Sequence, residues 1–191
     1  KMKEAGLKVA RIGEFAWRKM EPEKGRFDFG WLHHVVDELG KNGIKTVMGT
    51  PTATPPIWLL REHPEAAALD ADNVRTSHGR RHCCSNVPAY LEASDKIVEA
   101  MAKEFGDDEN IIGWQIDNEI YQWGDGCCCE YCKNGFHRYL EKKYGTIEEL
   151  NRRWNLNVFS QAYDSFDDIP TPVNPWHNPH IKYEWTVFHQ N

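Results

Sequence analysis

The sequence contains no run of about 18 consecutive apolar residues, which excludes a membrane-spanning helix of ordinary length. It has no GxGxxG and no GxxxxGK[ST], so neither a dinucleotide-binding turn nor a P-loop is encoded. Long basic stripes are missing too. The 23 lysines and arginines face 29 acidic residues and lie scattered, as in Arg80-Arg81, Lys142-Lys143 and Arg152-Arg153. With a formal charge of −6, the chain is a poor partner for nucleic acid or an anionic membrane surface. The N-terminus lacks the charged, apolar and small-residue succession of a secretory signal, so the default reading is a soluble, cytoplasmic protein.

What remains is globular material: 40% hydrophobic residues over 191 positions are enough for one sizeable core. The opening KMKEAGL has the pattern of a last helical turn ending at Gly6 and feeding a strand. The closing YEWTVFHQN is helix-like and carries no stop signal. Both ends therefore predict a piece cut from a longer chain.

Three β-branched apolar runs, KVARIG at 8–13, IKTVMGT at 44–50 and IIGWQID at 111–117, are each short enough for a buried parallel strand. Between them, the spacing predicts a helix over 31–41 with Trp31, Leu32, Val35, Val36 and Leu39 on one face, and another over 94–105 with Ile97, Val98, Met101 and Phe105. A third helix is expected over about 132–144. Thr146 and Glu149, at capping-box spacing, start a fourth that runs to about Trp154. Strand, loop and helix in regular succession give an α/β protein with a parallel sheet. The loops after the strands are long and rich in Pro, Trp, His and Arg, which favours a (β/α)8 barrel, whose functional face is built from such loops, over an open doubly wound sheet.

Polar residues at the strand ends are the candidates for chemistry. Arg11 lies within the first strand and Glu14 follows it. A charge in a buried strand must be paired or must face a polar cavity, so the two form either a structural pair or part of a ligand site. Glu119, beside Asn118 at the end of the third strand, is read either as a solvated strand-end charge or as a general acid. Its neighbours Trp114, Tyr121 and Trp123 would desolvate the carboxyl in the second case. Eight Trp, seven Tyr and nine His permit a site for sugars, which offer apolar C–H faces and hydroxyl edges together.

The six cysteines are concentrated: Cys127-x-Cys129-x-x-Cys132 in one loop, with Cys128 between, and Cys83-Cys84 upstream. Thiolates at this spacing fit a closed tetrahedral zinc site with a fourth ligand from elsewhere. Such a shell has no open position for water, so the metal would be structural, pinning the loop that leaves the strand carrying Glu119. Disulfides fit less well in a chain without export signals.

Taken together, VARIGEFAWRKMEPEKGRFDFGWL, GTPTATPPIWL, GRRHCC and GWQIDNE resemble glycoside hydrolase family 42, the β-galactosidases with a (β/α)8 catalytic domain. The resemblance runs over nearly the whole chain. It implies that residues 1–191 form a partial TIM barrel covering about strands 2–4, truncated at both ends. It also implies a retaining glycosidase acting on terminal β-D-galactosides. Glu119 is then the acid/base, Asn118, Arg11 and Arg80 bind substrate, and the nucleophilic glutamate lies beyond residue 191, so the chain alone is expected to be inactive. The family's zinc ligands match Cys84, Cys127, Cys129 and Cys132. Cys83 stands where the family has an aromatic residue, so the two neighbours could exchange roles, and Cys128 is an extra thiol. Trimers are frequent in the family, which makes a homotrimer an implied assembly. Rival readings keep the barrel but change the sugar (β-glucosidase, mannanase, arabinopyranosidase), or keep the zinc as a support for non-catalytic carbohydrate binding. Another drops the metal and makes the cysteines redox sensors.

Overall fold

The structure, a computed structural model, describes residues 1–75, 79–120, 126–171 and 178–190. The chain divides into two compact units, residues 1–67 with 77–121 and residues 68–76 with 122–191. No helix among the described residues is long and apolar enough to cross a membrane.

The first unit opens on a turn in which Leu7 N–H donates to Met2 O and Gly6 N–H to Lys3 O. Gly6 has φ +81°, so this is the helix-ending geometry that the sequence predicts, with glycine in the left-handed position. A parallel sheet follows, with strands β1 (Val9–Ile12), β2 (Lys45–Gly49) and β3 (Ile111–Gln115) in the order β1-β2-β3. Helices α1 (Trp17–Met20) and α2 (Gly30–Lys41) lie between the first two strands in sequence, and α3 (Ile57–Glu62) and α4 (Pro88–Phe105) between the second and third.

Trp17, Met20, Phe29, Leu32, Val36, Met48, Ile97, Met101 and Phe105 form the core of this unit. In α4 the buried residues recur at i, i+4 and i+8, one stripe of a 3.6-residue period. That helix begins six residues before the expected start, because Pro88 occupies its first turn, where a missing N–H costs nothing. In α2 only Leu32 and Val36 are fully buried. Val35 and Leu39, expected on the same face, line a groove with Met2 and Ile44.

β2 is the central strand, and Thr46, Met48 and Gly49 are buried. The outer strands differ from expectation. An apolar run such as IIGWQID reads as buried on both faces, yet Ile112 is 57% exposed and Val9 43%. Arg11, expected inside a buried strand, has a side chain 53% exposed on β1. At the end of β2, a Cβ on Gly49 would lie 2.7 Å from that of Glu14, so only glycine lets the chain after β1 approach β2 so closely.

The second unit holds α5 (Glu130–Tyr144), α6 (Ile147–Trp154) and α7 (Pro179–Gln190). Phe136 meets Trp185 edge-to-face at 5.0 Å, and Leu140, Leu150, Trp154 and Ile181 are fully or nearly fully buried with them. Thr146 caps α6 as expected, its Oγ1 accepting the Glu149 N–H at 3.3 Å. The Glu149 carboxylate, however, binds Arg152 and Arg153, which hold its pKa down to about 2.

Glu184 on α7 is the charged centre of this unit. Its side chain is 4% exposed and accepts Lys143 Nζ at 2.6 Å, Tyr139 Oη at 2.7 Å and Tyr144 Oη at 2.6 Å. Burial alone would raise its pKa, but the ammonium and the two phenols bind the ionised form and hold it below the usual carboxylate range. A depressed folded value contributes stability above the unfolded value of about 4.3, and the contribution is lost as the pH falls through the folded value. Glu184→Gln is therefore expected to destabilise α5 and α7 at neutral pH by about 3 kcal/mol. Amide hydrogen exchange of the two helices checks this. Wild type and variant should converge in acid, and equal protection at pH 7 would remove the network's role.

Candidate active site and cysteine cluster

The C-terminal ends of the three parallel strands carry the polar cluster, the end at which α/β folds place their ligand sites. Arg11 Nε donates to Glu14 Oε1 at 3.0 Å, so the strand residue and the glutamate that follows the strand form the pair that the sequence offered as one alternative. Phe15, the next residue, lies under the guanidinium of Arg80, 6.0 Å from its ring centroid. Arg80 Nη1 in turn stands 2.8 Å from Glu119 Oε2. Residues following β1, β2 and β3 thus meet in one line.

The Arg80 and Glu119 side chains are 42% and 61% exposed. An ion pair so exposed contributes about 0–1 kcal/mol, which leaves it open to exchange with ligand hydroxyls. Of the aromatic residues expected around Glu119, Trp114 packs against the core of this unit, and Tyr121 and Trp123 lie outside the described residues.

Asn118 is buried. Its Oδ1 accepts from Gln115 Nε2 at 3.3 Å, while its Nδ2 is enclosed and has no hydrogen-bond partner among the described residues. A buried donor left unsatisfied costs about 1–3 kcal/mol, so the turn retains an amide with unused donor capacity beside the carboxylate. The backbone here is strained: Asp117 has φ +55° and Glu119 φ +46°, and Arg81 across from them has φ +57°. Non-glycine residues in this region cluster at functional sites.

Sequence reasoning did not single out Arg81, Asp117 or Thr50. Arg81 Nη1 reaches Asp117 Oδ1 at 3.1 Å and Asn118 O at 3.0 Å, and the Asp117 N–H donates to Thr50 Oγ1 at 2.7 Å. The available signal was an acidic residue closing an apolar strand directly before Asn-Glu. Tyr90 anchors the loop after β2 by donating to Thr52 O at 3.0 Å, and burial, with Asp117 nearby, pushes its phenol up to about 12.

Cys84, Cys127, Cys129 and Cys132 are all buried, and their sulfurs lie within 4.8 Å of one another. They could hold a metal ion. Four thiolates are the donor set of a closed tetrahedral zinc site. Backbone N–H groups of Leu69 and Asn86 point at Cys127 Sγ (3.3 Å) and Cys84 Sγ (3.4 Å), donors of the kind that support thiolate ligands. Between the two neighbours the sequence left open, Cys84 is in the group. Cys83 is not, and burial pushes its thiol up to about 12, away from the thiolate a metal requires. Cys128 is also outside it.

Comparison with known proteins gives consistent results. The family model for glycoside hydrolase family 42, described as β-galactosidase, matches residues 1–191. The β-galactosidase YesZ of Bacillus licheniformis is 43% identical over 190 residues, covering 98% of this chain and 29% of that protein. A β-galactosidase of Thermus thermophilus is 45% identical over 175 residues, 90% of this chain and 27% of its own length. Among solved structures, the β-galactosidase of the Antarctic haloarchaeon Halorubrum lacusprofundi superimposes with a TM-score of 0.92 at 38% identity, over 98% of this chain and 29% of that one. A β-amylase catalytic domain from Paenibacillus polymyxa, at 16% identity and a TM-score of 0.74, shares the fold alone. The chain spans under a third of the length of the curated relatives it matches.

Proposed function

The chain belongs to glycoside hydrolase family 42, and from that premise we propose that the full-length protein hydrolyses terminal β-D-galactosides with retention of anomeric configuration. The observation that carries this reading is the meeting of Arg80 with Glu119 at 2.8 Å, beside buried Asn118, at the C-terminal ends of parallel strands. Residues 1–191 are read as part of one (β/α)8 barrel, with β1, β2 and β3 as its second to fourth strands. Exposed Ile112 and Ile116 on the β3 side, and Val9 on β1, are apolar surface that the rest of such a barrel would cover.

In this mechanism Glu119 protonates the glycosidic oxygen while a glutamate outside this chain attacks the anomeric carbon, and Glu119 then removes a proton from the water that releases the sugar. Asn118 offers its amide to the 2-hydroxyl, a hydrogen bond that strengthens as positive charge develops on the ring. Arg80 leaves the Glu119 carboxylate for sugar hydroxyls when substrate binds, which frees that carboxyl to carry the proton. Arg11, tied to Glu14, orients the sugar from the β1 side. Cys84, Cys127, Cys129 and Cys132 would hold a zinc ion, which, when bound, supplies rigidity to the loop after β3 and takes no part in hydrolysis.

The test is a panel of aryl glycosides on the full-length protein. The β-galactoside is expected to be cleaved at least tenfold faster than the β-glucoside and β-mannoside, with the α-L-arabinopyranoside between, since it lacks only the hydroxymethyl group. NMR of the first product should show the β-anomer. Inversion, or binding without turnover, would overturn the proposal.

A further inference from the structure

The two adjacent arginines of the loop after β2 contact different parts of the turn after β3. Arg80 reaches the exposed Glu119 carboxylate, while Arg81 reaches the turn's frame: the Asp117 carboxylate and the Asn118 carbonyl. The Arg81 and Asp117 side chains are only 14% and 17% exposed, against 42% and 61% for the outer pair. The inner pair is shielded and the outer pair is not, so the two differ in stiffness.

We infer that the Arg81–Asp117 pair is a positioning device, which holds the strained turn 117–119 so that Glu119 is delivered at the angle its proton transfer requires. This rests on the acid/base reading of Glu119.

Left-handed backbone is cheap for Asp117 but unfavourable at a residue such as Glu119 or Arg81, so the turn relaxes unless its surroundings over-determine it. The restraints here converge on Asp117. Its N–H donates to Thr50 Oγ1 at the end of β2, its carbonyl accepts Gln115 Nε2 at 2.8 Å, and its Oδ1 accepts both the Asn118 N–H at 2.6 Å and Arg81 Nη1. Arg81 is itself fixed by its N–H to Ala53 O at 2.6 Å. The charged pair therefore ties the loop after β2 to the backbone that sets the direction of Glu119. Loss of Arg81 leaves the carboxyl group chemically intact but free to swing as the turn relaxes.

The experiment compares Arg81→Ala, Asp117→Asn and Glu119→Ala in the full-length enzyme on two galactosides, one with a poor phenolic leaving group and one with 2,4-dinitrophenolate, which departs without a proton. The quantity read is kcat/KM, which reports the first glycosyl transfer. Arg81→Ala is expected to lose about 30–100-fold on the poor leaving group, the cost of a roughly 1 Å misplacement, and less than about 5-fold on the good one. Asp117→Asn keeps the oxygen but not the charge and should show a smaller loss of the same selectivity. Thermal unfolding verifies that each variant is folded. Equal losses on both substrates, or none, while Glu119→Ala remains selective would overturn the positioning role and leave Glu119 as the acid. Absence of selectivity in Glu119→Ala would overturn the acid assignment and the inference with it.

Discussion

Replacing Glu119 by alanine in the full-length enzyme is expected to lower kcat/KM for a galactoside with a poor leaving group by about 10²–10⁴-fold, the usual contribution of a positioned general acid. The carboxyl is the group that can travel: Arg80 holds it at 2.8 Å in an ion pair whose two side chains are both partly open to water. A substrate whose hydroxyls displace Arg80 leaves the carboxyl free to face the glycosidic oxygen. Azide supplies the diagnostic. In the second step the missing base no longer activates water, but an anionic nucleophile needs no base, so azide should restore turnover and yield the β-galactosyl azide. If the variant retains wild-type rates, or if azide has no effect on a slowed enzyme, Glu119 is not the acid/base.

The second large effect concerns the cysteines. Protein purified under reducing conditions is expected to carry about one zinc per chain, and Cys132→Ser or Cys84→Ser should abolish it, because a three-sulfur shell loses much of the free energy of a closed site. Cys83→Ser and Cys128→Ser should retain the metal, since neither belongs to the group whose sulfurs lie within 4.8 Å. Loss of the metal leaves four buried thiols with no cation among them, and the expected fall in Tm is several degrees, as about 1–3 kcal/mol would produce in a domain of this size. Zinc at one equivalent in the wild type and in Cys83→Ser, but absent from Cys132→Ser, sustains the assignment. No metal in freshly reduced wild type would favour the redox reading.

Much of this arrangement was legible in advance. The strands were visible as short β-branched runs because a parallel strand must be apolar along its length, and α4 because Ile97, Met101 and Phe105 share a face. The Asn118-Glu119 pair and the crowded thiols stood out because carboxylates at strand ends and cysteines at two- and three-residue spacing have few alternative uses. Other features were hidden. Arg11 read either as half of a structural pair or as a ligand contact, and only the folded chain shows its guanidinium bonded to Glu14. Pro88 looked like a loop residue, although the first turn of a helix tolerates proline. Arg81 could not be told from Arg80, because adjacent residues of one type carry the same local signal.

By itself the sequence determined the α/β succession, the residue types at the strand ends and the presence of clustered thiols, since periodicity, turn chemistry and ligand spacing are local properties written along the chain. Tertiary structure alone decided which of two neighbouring cysteines joins the sulfur group, which of two arginines meets the carboxylate and which braces the turn, and that Asp117 and Glu119 adopt left-handed backbone. Those choices depend on distances between residues tens of positions apart, and such distances exist only once β1, β2 and β3 have been brought side by side.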